Sequence, residues 1–424
     1  MNLSENFEIT THQLSNGLKL ILIPNKKIQI ISLNLAYKVG SKNELRGKTG
    51  MAHLFEHLMF EGSKNLKKGE FDKICSLAGG TNNAYTSYDS TAYTMTLPSN
   101  QLEVALWLES DRMSEFAVTQ KAMETQKKVV SEEIRQTVFD RPYGKWRELL
   151  AENAFTNDCS YSWEVHGSIE DVLSVNLDDL KEFFEMFYRP GNAVMTLCGN
   201  FEIDNAIALT EKYFNEIKNN IQVGRKPAFN EAMLKKNTHS SFDDTVPLPA
   251  TFINFHIPGS LDDRVLIANI ISTIATGGRS SRMYSKLVDQ QQIASTVGSY
   301  IDDREFSSII TFYGITANPN VNIDTLKQEM LKLIFEFKND FVSELELNRT
   351  INQLTTQISH EIQYSSGLAD IASSNILFSD DLERIYGILE KYEKINAQDI
   401  KSFASDFLTY DAQIVIDCLP EQNS

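Results

Sequence analysis

A duplicated pattern limits the folds that this chain can adopt. The sequence of residues 251–260 resembles that of the segment that ends at residues 39–41. The sequence of residues 266–278 likewise resembles that of residues 51–63. A period this long makes each repeat a whole domain, unlike the short units of solenoid proteins. A chain of 424 residues also exceeds the size at which one hydrophobic core is usual. We therefore expect two similar domains.

Each half mixes strand-like and helical patterns without a regular strand–helix–strand alternation. In the first half the strands are predicted at residues 18–23, 30–37, 91–97 and 192–198. The helices are predicted at residues 50–60, 70–77, 101–114, 120–137 and 177–187. This order favours the α+β class, with mostly antiparallel sheets packed with helices, over a doubly wound sheet. The polar, irregular stretch at residues 221–248 is the predicted linker.

Charge and cysteine usage exclude several classes of partner and site. The net charge of −17 repels nucleic acid phosphates and anionic membranes, and no stretch approaches the roughly 18–20 apolar residues of a membrane span. The scattered cysteines indicate buried free thiols in a reducing compartment, and they are Cys75, Cys159, Cys198 and Cys418. The N-terminus lacks the pattern of a signal peptide. We expect a cytoplasmic protein, or a periplasmic one only if a leader has been removed.

The stretch His53-Leu54-Phe55-Glu56-His57 indicates a metal site. Residues four apart lie on one face of a helix, so both imidazoles can reach one ion. Glu56 then lies beside the ion without ligating it, where it can activate a zinc-bound water by taking its proton. HxxEH is the inverted form of the HExxH zinc-peptidase motif. The alternative is a helix with two incidental histidines and a surface Glu.

A third ligand must come from another segment. The helix predicted at residues 120–137 offers three acids, which are Glu124, Glu132 and Glu133. At about 100° per residue, a buried arc is marked by Val129, Val130 and Ile134. Glu133 falls inside this arc together with Gln126, whereas Glu132 points away from it. Since a buried acid is costly unless it is paired or binds a metal, Glu133 is the predicted ligand. An ion pair with a core Arg is the alternative.

These residues belong to a series of motifs that resembles the pitrilysin and mitochondrial-processing-peptidase family of zinc peptidases, the inverzincins. Within that family the chain resembles the metal-bearing subunit of the short bacterial type. The motifs cover nearly the whole chain in order, and they are LSNGLK (14–19), VGS (39–41), TGMAHLFEHLMFEGS (49–63), GGTNNAYTSYDSTAY (79–93), VVSEEIR (129–135), YRPGNAVMTLCGN (188–200) and GGRSSRMYSKL (277–287).

The resemblance implies a fold, a metal and a way of binding substrate. It implies two similar domains that form half of a clam-shell chamber, which a second such chain completes. It places one Zn²⁺ per chain on His53, His57 and Glu133. It also implies that Asn83 and Ala84, with the edge strand beside them, bind the substrate backbone by strand addition. For Asn83 the alternative is a role in a turn.

The chain departs from the family pattern at two places. Gln126 stands where the family usually has a second Glu. The missing carboxylate predicts a weaker influence of the neighbouring residues on the zinc, but not a loss of zinc binding. Val288 and Ser295 stand where the family has an Arg and a Tyr that clamp the substrate, and neither supplies those hydrogen bonds. Other pairs that could do this work are Arg282 with Tyr284 and Arg279 with Tyr300. In the second half, the counterparts of His53, Glu56 and His57 are Ala268, Ile271 and Ser272.

The sequence thus predicts a zinc metalloendopeptidase that hydrolyses peptides or unfolded segments inside a closed chamber. The predicted domains are a metal-bearing catalytic domain at residues 1–220 and a homologous domain without a metal site at residues 249–424. We expect a heterodimer with a homologous chain that lacks HxxEH but supplies the Arg and the Tyr, with a homodimer as the alternative. The alternative function is a catalytically silent structural or peptide-binding subunit.

Overall fold

The computed structural model describes residues 7–219 and 229–421, apart from the side chain of Glu383. Its strands are β1 (Thr10–Gln13), β2 (Lys19–Pro24), β3 (Ile30–Tyr37), β4 (Thr81–Thr86), β5 (Thr91–Pro98), β6 (Ala193–Gly199), β7 (Thr238–Asp244), β8 (Ala250–Pro258), β9 (Ala294–Asp302), β10 (Ser307–Thr316) and β11 (Gln413–Pro420). Its α-helices are α1 (Met51–Leu58), α2 (Glu70–Leu77), α3 (Leu102–Ser114), α4 (Gln120–Ile134), α5 (Trp146–Ala154), α6 (Ile169–Ser174), α7 (Leu177–Phe187), α8 (Ile203–Phe214), α9 (Val265–Thr276), α10 (Ile323–Asn339), α11 (Glu344–Glu361), α12 (Ser365–Ser379), α13 (Glu383–Lys394) and α14 (Ala397–Phe407).

Two mixed sheets with the same topology lie at the centre of the fold. The first sheet has the order β1-β2-β6-β3-β5-β4, and the second has the order β7-β11-β8-β10-β9. In each sheet one neighbouring pair is parallel, β2 with β6 and β7 with β11, and the other pairs are antiparallel. Without β1, the two orders match strand for strand. The predicted α+β class with two similar, mostly antiparallel domains is confirmed.

The chain folds into two compact units, and each unit takes segments from both halves of the sequence. The first contains the described residues of Met1–Ile134, Glu164–Pro227 and Ile358–Ile388. The second contains those of Arg135–Trp163, Ala228–Gln357 and Leu389–Ser424. The predicted domain bounds therefore differ from the compact units at residues 135–163 and 358–388. A helix pattern gives no information on which sheet the helix packs against, so this exchange has no local signal in the sequence.

The exchanged segments each place a helix against a sheet. In the first unit, α12 packs on β3 and β6, and in the second unit, α5 packs on β11 and β7. Polar side chains hold α12 in place, because Ser365 Oγ lies 2.8 Å from Ser32 Oγ and Ser373 Oγ donates to Thr196 Oγ1 at 2.7 Å. β3 is buried along all but its first residue, as a strand covered on both faces must be.

Several smaller expectations can be compared with the structure. Residues 221–228 of the predicted linker lie outside the described residues, whereas its later part contains β7. The four cysteines are free and buried, as the sequence predicts. No helix in the described part of the chain is long and apolar enough to cross a membrane.

Candidate metal centre

The helix that carries the HxxEH motif begins at a tightly constrained point. Gly50 precedes α1 with φ of 80°, and a Cβ there would lie 2.3 Å from the carbonyl oxygen of His166. The Glu44 carboxylate accepts hydrogen bonds from the amides of Gly50 at 2.9 Å and Ala52 at 2.7 Å. A carboxylate at this end satisfies free amides and interacts favourably with the helix dipole. The start of α1, and hence the direction of its histidines, is thereby fixed.

The three predicted ligands come together between α1, which carries His53 and His57, and α4, which carries Glu133. His53 Nε2 and His57 Nε2 lie 3.3 Å apart, and Glu133 approaches them with Oε2 at 3.4 Å from His57 and Oε1 at 3.9 Å from His53. Ligands at the usual zinc distances of about 2.0–2.2 Å are about 3.3–3.6 Å apart in a tetrahedron. Among the described residues, these three form the group of His, Cys, Asp and Glu side chains that could hold a metal ion.

The environment of His53 keeps its imidazole neutral. Burial lowers the pKa of His53 to about 4, and the positive forms of His57 and His166 act in the same direction. A neutral imidazole has the free lone pair that a metal ion requires. The opposite ring nitrogen, Nδ1, is buried without a hydrogen-bond partner among the described residues. His53 therefore presents Nε2 towards His57 and Glu133.

Glu56 lies beside the group without belonging to it. Its Oε2 accepts a hydrogen bond of 2.5 Å from the hydroxyl of Thr86, the last residue of β4. Burial raises the pKa of Glu56, whereas the bond from Thr86 and the proximity of His57 lower it and Glu133 raises it. Glu56 thus lies next to the candidate metal position, with its carboxylate held by Thr86.

The structure corrects part of the argument that selected Glu133. Val129 is 45% exposed, so it does not belong to the buried face of α4. That face consists of Met123, Lys127, Val130, Ser131 and Ile134. The Glu133 side chain is 42% exposed and lies at the edge of the face, towards the histidines, whereas Glu132 is exposed. The predicted ligand is in place, but the histidines and not a buried arc account for its position.

Gln126, on the same helix as Glu133, contacts the segment that follows α1. Its Nε2 donates to Glu61 Oε1 at 2.6 Å, and Lys68 Nζ donates to the same oxygen at 2.6 Å. The Gln126 Oε1 atom is buried without a hydrogen-bond partner in the described structure. Gln126 thus contacts Glu61, which follows α1, and is absent from the candidate ligand group.

The predicted substrate-binding residues lie on an edge strand. Asn83 and Ala84 are in the middle of β4, which pairs only with β5 among the described strands, so Asn83 is not a turn residue. Thr86 reaches Glu56, and alternate side chains of a strand share a face, so Ala84 faces the metal centre and Asn83 faces away from it. On that other face, Tyr85 donates to Asp370 Oδ1 at 2.5 Å. The free edge of β4 is the feature that strand addition requires.

Among its described residues, the second unit has no candidate metal group, and it does not have the family's Arg and Tyr at the aligned positions. Val288 lies in a π-helical turn (Tyr284–Gln290), and Ser295 lies exposed on β9 with its hydroxyl on the Ile315 carbonyl oxygen at 3.3 Å. On α9, Ala268 and Ile271 are buried, and Ser272 Oγ lies 2.7 Å from Ser299 Oγ. Hydroxyl contacts between α9 and β9 therefore replace the ligands of the first unit.

Two of the four alternative clamp residues have partners within the second unit. Arg282 forms two hydrogen bonds with the Glu346 carboxylate, of 3.0 and 2.7 Å. The Tyr300 ring packs edge-on against Trp146, with 5.8 Å between the ring centroids. The other two residues of these pairs lie close together, because the Arg279 guanidinium is 5.9 Å from the centroid of the Tyr284 ring, and Arg279 is exposed.

The sequence analysis does not identify two residues that support this centre. Thr86 donates a hydrogen bond to Glu56, and Glu44 accepts hydrogen bonds from amides at the start of α1. The alternation of residues 81–86 can place Thr86 on the face of Glu56, but the residue pattern of this polar segment does not predict a strand, and the resemblance implies only an edge strand beside Asn83 and Ala84. Glu44 had no comparable signal, because its loop folds back on α1 only in three dimensions. Both residues act through contacts that a linear pattern does not encode.

Comparison with known proteins gives consistent matches. Residues 20–161 match the family model described as Insulinase (Peptidase family M16), and residues 174–354 match the model described as Peptidase M16 inactive domain. The zinc protease PqqE of Helicobacter pylori is 28% identical, over 93% of this chain and 89% of that protein. The mitochondrial-processing peptidase subunit beta of Saccharomyces cerevisiae is 23% identical, over 93% of this chain and 87% of that protein. The crystal structure of a protease from Helicobacter pylori superposes with a TM-score of 0.92 at 26% identity, covering 98% of this chain and 100% of that one.

Proposed function

Because the chain belongs to the M16 family of peptidases, we propose that it is a zinc-dependent endopeptidase acting on peptides or unfolded segments. The observation that carries this proposal is the spacing of His53 Nε2, His57 Nε2 and the Glu133 carboxylate, at 3.3 to 3.9 Å from one another. These donors, two imidazoles and a carboxylate, form a ligand set of the kind found in catalytic zinc sites. The name of the Helicobacter pylori relative supports zinc as the metal.

In the proposed mechanism, different residues bind the metal, transfer the proton and align the substrate. When bound, zinc supplies a Lewis acid that lowers the pKa of water and polarises a carbonyl group. Glu56 takes the proton of the attacking water as a general base and returns it to the leaving amine. His53, His57 and Glu133 hold the metal, and the free edge of β4 aligns an extended peptide beside Glu56.

We further propose that the active form is a heterodimer with a homologous chain. The aligned clamp positions of this chain are Val288 and Ser295, and Arg282 is engaged by Glu346. A peptidase needs donors for the oxyanion of the tetrahedral intermediate, and in the proposed heterodimer the second chain supplies them. A homodimer repeats the same two side chains in each copy and so adds no Arg or Tyr at these positions. One relative is named as a subunit of a processing peptidase, which supports an assembly.

The second candidate function is a peptide-binding subunit without turnover. Val288 and Ser295 favour it, since a chain that lacks the clamp can bind peptide at β4 without hydrolysing it. The presence of Glu56 next to the three ligand groups favours the peptidase, because a binding subunit needs no acid–base group there.

The two functions are separated by one set of measurements on the purified protein. The zinc content is measured by plasma emission spectrometry, and hydrolysis of a fluorogenic peptide library is followed with and without a chelator. About one zinc per chain and chelator-sensitive cleavage, alone or with a homologous subunit, support the peptidase. Zinc and peptide binding without any cleavage, in both preparations, supports the silent subunit.

A further inference from the structure

We propose that Thr86 is a positioning residue for the general base Glu56, a role that rests on the proposed peptidase function. The hydroxyl of Thr86 donates to Glu56 Oε2 at 2.5 Å, across the interface between β4 and α1. No ligand role is assigned to Thr86, which lies outside the group of three candidate metal ligands. In the described part of the chain, its hydroxyl is hydrogen-bonded to the proposed base, Glu56.

The hydrogen bond distinguishes the two oxygens of the base. Oε2 of Glu56 accepts from the hydroxyl, which makes Oε1 the more basic oxygen and the favoured acceptor for the proton of the attacking water. A β-branched side chain has few χ1 rotamers, so the Thr86 hydroxyl holds its direction without a large loss of entropy. The carboxylate plane of Glu56 is therefore set before substrate binds, which is the arrangement that general-base catalysis needs.

Thr86 is itself fixed by the turn that follows β4. The Ser87 amide donates to the Ser90 carbonyl oxygen at 2.8 Å, and the Ser41 amide donates to the Ser87 carbonyl oxygen at 3.2 Å. Beyond Ser87, Asp89 Oδ1 accepts from the buried Lys42 ammonium at 2.8 Å. These contacts prevent the end of β4 from moving away from α1, and they keep Thr86 within reach of Glu56.

The other side of β4 is anchored as well. Tyr85 donates its hydroxyl to Asp370 Oδ1 at 2.5 Å, and the Asn34 amide donates to the same oxygen at 2.8 Å. Asp370 lies on α12, the helix that packs on the reverse face of the first sheet. β4 thus carries both the edge proposed to align the substrate and the Thr86 hydroxyl proposed to orient Glu56, and contacts on both faces hold it in place.

The test compares Thr86→Val, which keeps the shape and removes the hydroxyl, with Thr86→Ser, which keeps the hydroxyl. Thr86→Ala serves as a second variant without the hydroxyl, in case Val at this position does not fold. Thr96→Val is the matched control, because Thr96 is also a sheet residue whose hydroxyl contacts another hydroxyl, that of Ser32 at 3.0 Å. The enzyme is assayed in its active form, with a homologous subunit if one is required.

Loss of the hydroxyl should lower kcat by about ten- to hundred-fold, since a misplaced catalytic group costs rate of this order. KM, the zinc dissociation constant and the melting temperature should stay close to those of the wild type. Thr86→Ser should recover most of kcat, and Thr96→Val should not change it. Crystal structures should show Glu56 in one orientation in Thr86→Ser and in more than one in Thr86→Val.

Any other outcome contradicts either the role of Thr86 or the proposed peptidase function. Wild-type kcat in Thr86→Val and Thr86→Ala overturns the role of Thr86 and leaves the peptidase function intact. A parallel loss of zinc affinity and activity also overturns it, because Thr86 would then act on the ligands. A wild-type protein that binds zinc but has no turnover in any assembly contradicts the peptidase function, and the role of Thr86 with it.

Discussion

At the scale of single residues, the residues proposed to bind the metal differ from the residue proposed to transfer the proton. His53, His57 and Glu133 have their ligand atoms within 4.8 Å of one another, whereas Glu56 is bound to Thr86 and lies outside this group. The separation follows from the helix, since residue 56 is offset from both histidines by its spacing along α1. Changes at Glu56 and changes at the ligands should therefore have different consequences.

Glu56→Gln should keep the zinc and lose turnover. The amide has the size of the carboxylate and can still accept from Thr86, but it cannot take a proton from water. We expect kcat to fall by at least about 10²-fold, the usual contribution of a general base, with zinc content unchanged. Zinc analysis and peptide hydrolysis check this. A variant that releases zinc, or one that remains fully active, is incompatible with the assigned role.

Glu133→Gln should weaken zinc binding strongly, whereas Glu132→Gln should have little effect. Glu133 faces His53 and His57 at 3.9 and 3.4 Å, and removing its charge removes an anionic ligand. Glu132, the adjacent acid on α4, is exposed and is the matched control. Competition with a fluorescent zinc chelator gives both affinities. Equal weakening in the two variants would show that the face of α4 does not decide the ligand.

His256 should make the second unit sensitive to acid. Burial lowers its pKa to about 4, and its Nε2–H donates to the Ala154 carbonyl oxygen at 2.9 Å. Because the unfolded chain takes up this proton near pH 6.5 and the folded chain only near pH 4, stability is full above pH 6.5 and falls between these values. The loss reaches roughly 3 kcal/mol at pH 4.

Chemical unfolding of the wild type and of His256→Gln between pH 4 and 7 measures this effect. The difference between the two free energies of unfolding isolates His256, since the other histidines are common to both proteins. We expect the difference to shrink as the pH falls. A difference that stays constant with pH would contradict the buried, neutral state of His256.

At the scale of elements, the position of α1 depends on what surrounds its first turn. Glu44 accepts from two amides at this end, and Gly50 has a backbone conformation that a side chain would strain. The helix is short, so it cannot be stable through its own hydrogen bonds. The metal ligands therefore depend on a cap that lies in a preceding loop.

Glu44→Ala should lower both stability and zinc affinity. Loss of a cap costs about 1–2 kcal/mol of unfolding free energy, and two amides lose their acceptor. Asn322→Ala is the control, because Asn322 caps α10 through the Asp324 amide at 2.8 Å in the second unit. Both variants should unfold more easily, but only Glu44→Ala should bind zinc more weakly. Unchanged zinc affinity in Glu44→Ala would separate the cap from the metal centre.

The elements themselves were largely predictable, whereas their contacts were not. The predicted bounds of β3, α2 and α7 agree with the structure, because each has a clear periodicity and a clear end. The residues of β4, TNNAYT, are mostly polar, as an exposed edge strand can be, so only the resemblance to the peptidase family indicates an edge strand there. The position of Glu133 was predicted partly on a wrong premise, since Val129 proved exposed. Side-chain partners such as Asp370 for Tyr85 are distant in sequence and leave no local pattern.

At the scale of the molecule, the two units share a topology but differ in their chemistry. The first has the candidate metal centre, and the second has Ala268, Ile271 and Ser272 at the corresponding positions. The second unit also lacks an Arg and a Tyr at the aligned clamp positions. Each half of the duplication can therefore change separately, as long as the strand order is kept.

The chain alone should be a weak peptidase that a homologous subunit activates. Val288 and Ser295 offer no Arg or Tyr, and each missing oxyanion donor costs about 10²-fold in kcat. Adding a subunit that carries both should raise the rate, and removing either from the subunit should abolish the gain. Peptide hydrolysis by the zinc-loaded chain, with its mass measured by light scattering, provides the comparison. Robust turnover by a pure homodimer would refute the heterodimer.

Because each unit contains segments from both halves of the sequence, the first unit cannot be completed until late in synthesis on the ribosome. The strands of the first sheet are complete once β6 has been made, but α12, which covers them, begins only at Ser365. At about 5–20 residues per second, the gap amounts to roughly ten to thirty seconds. During this interval Ser32 and Thr196 lack their partners on α12, and the reverse face of the sheet is open to chaperones. A gene split between its two halves would deliver neither unit whole.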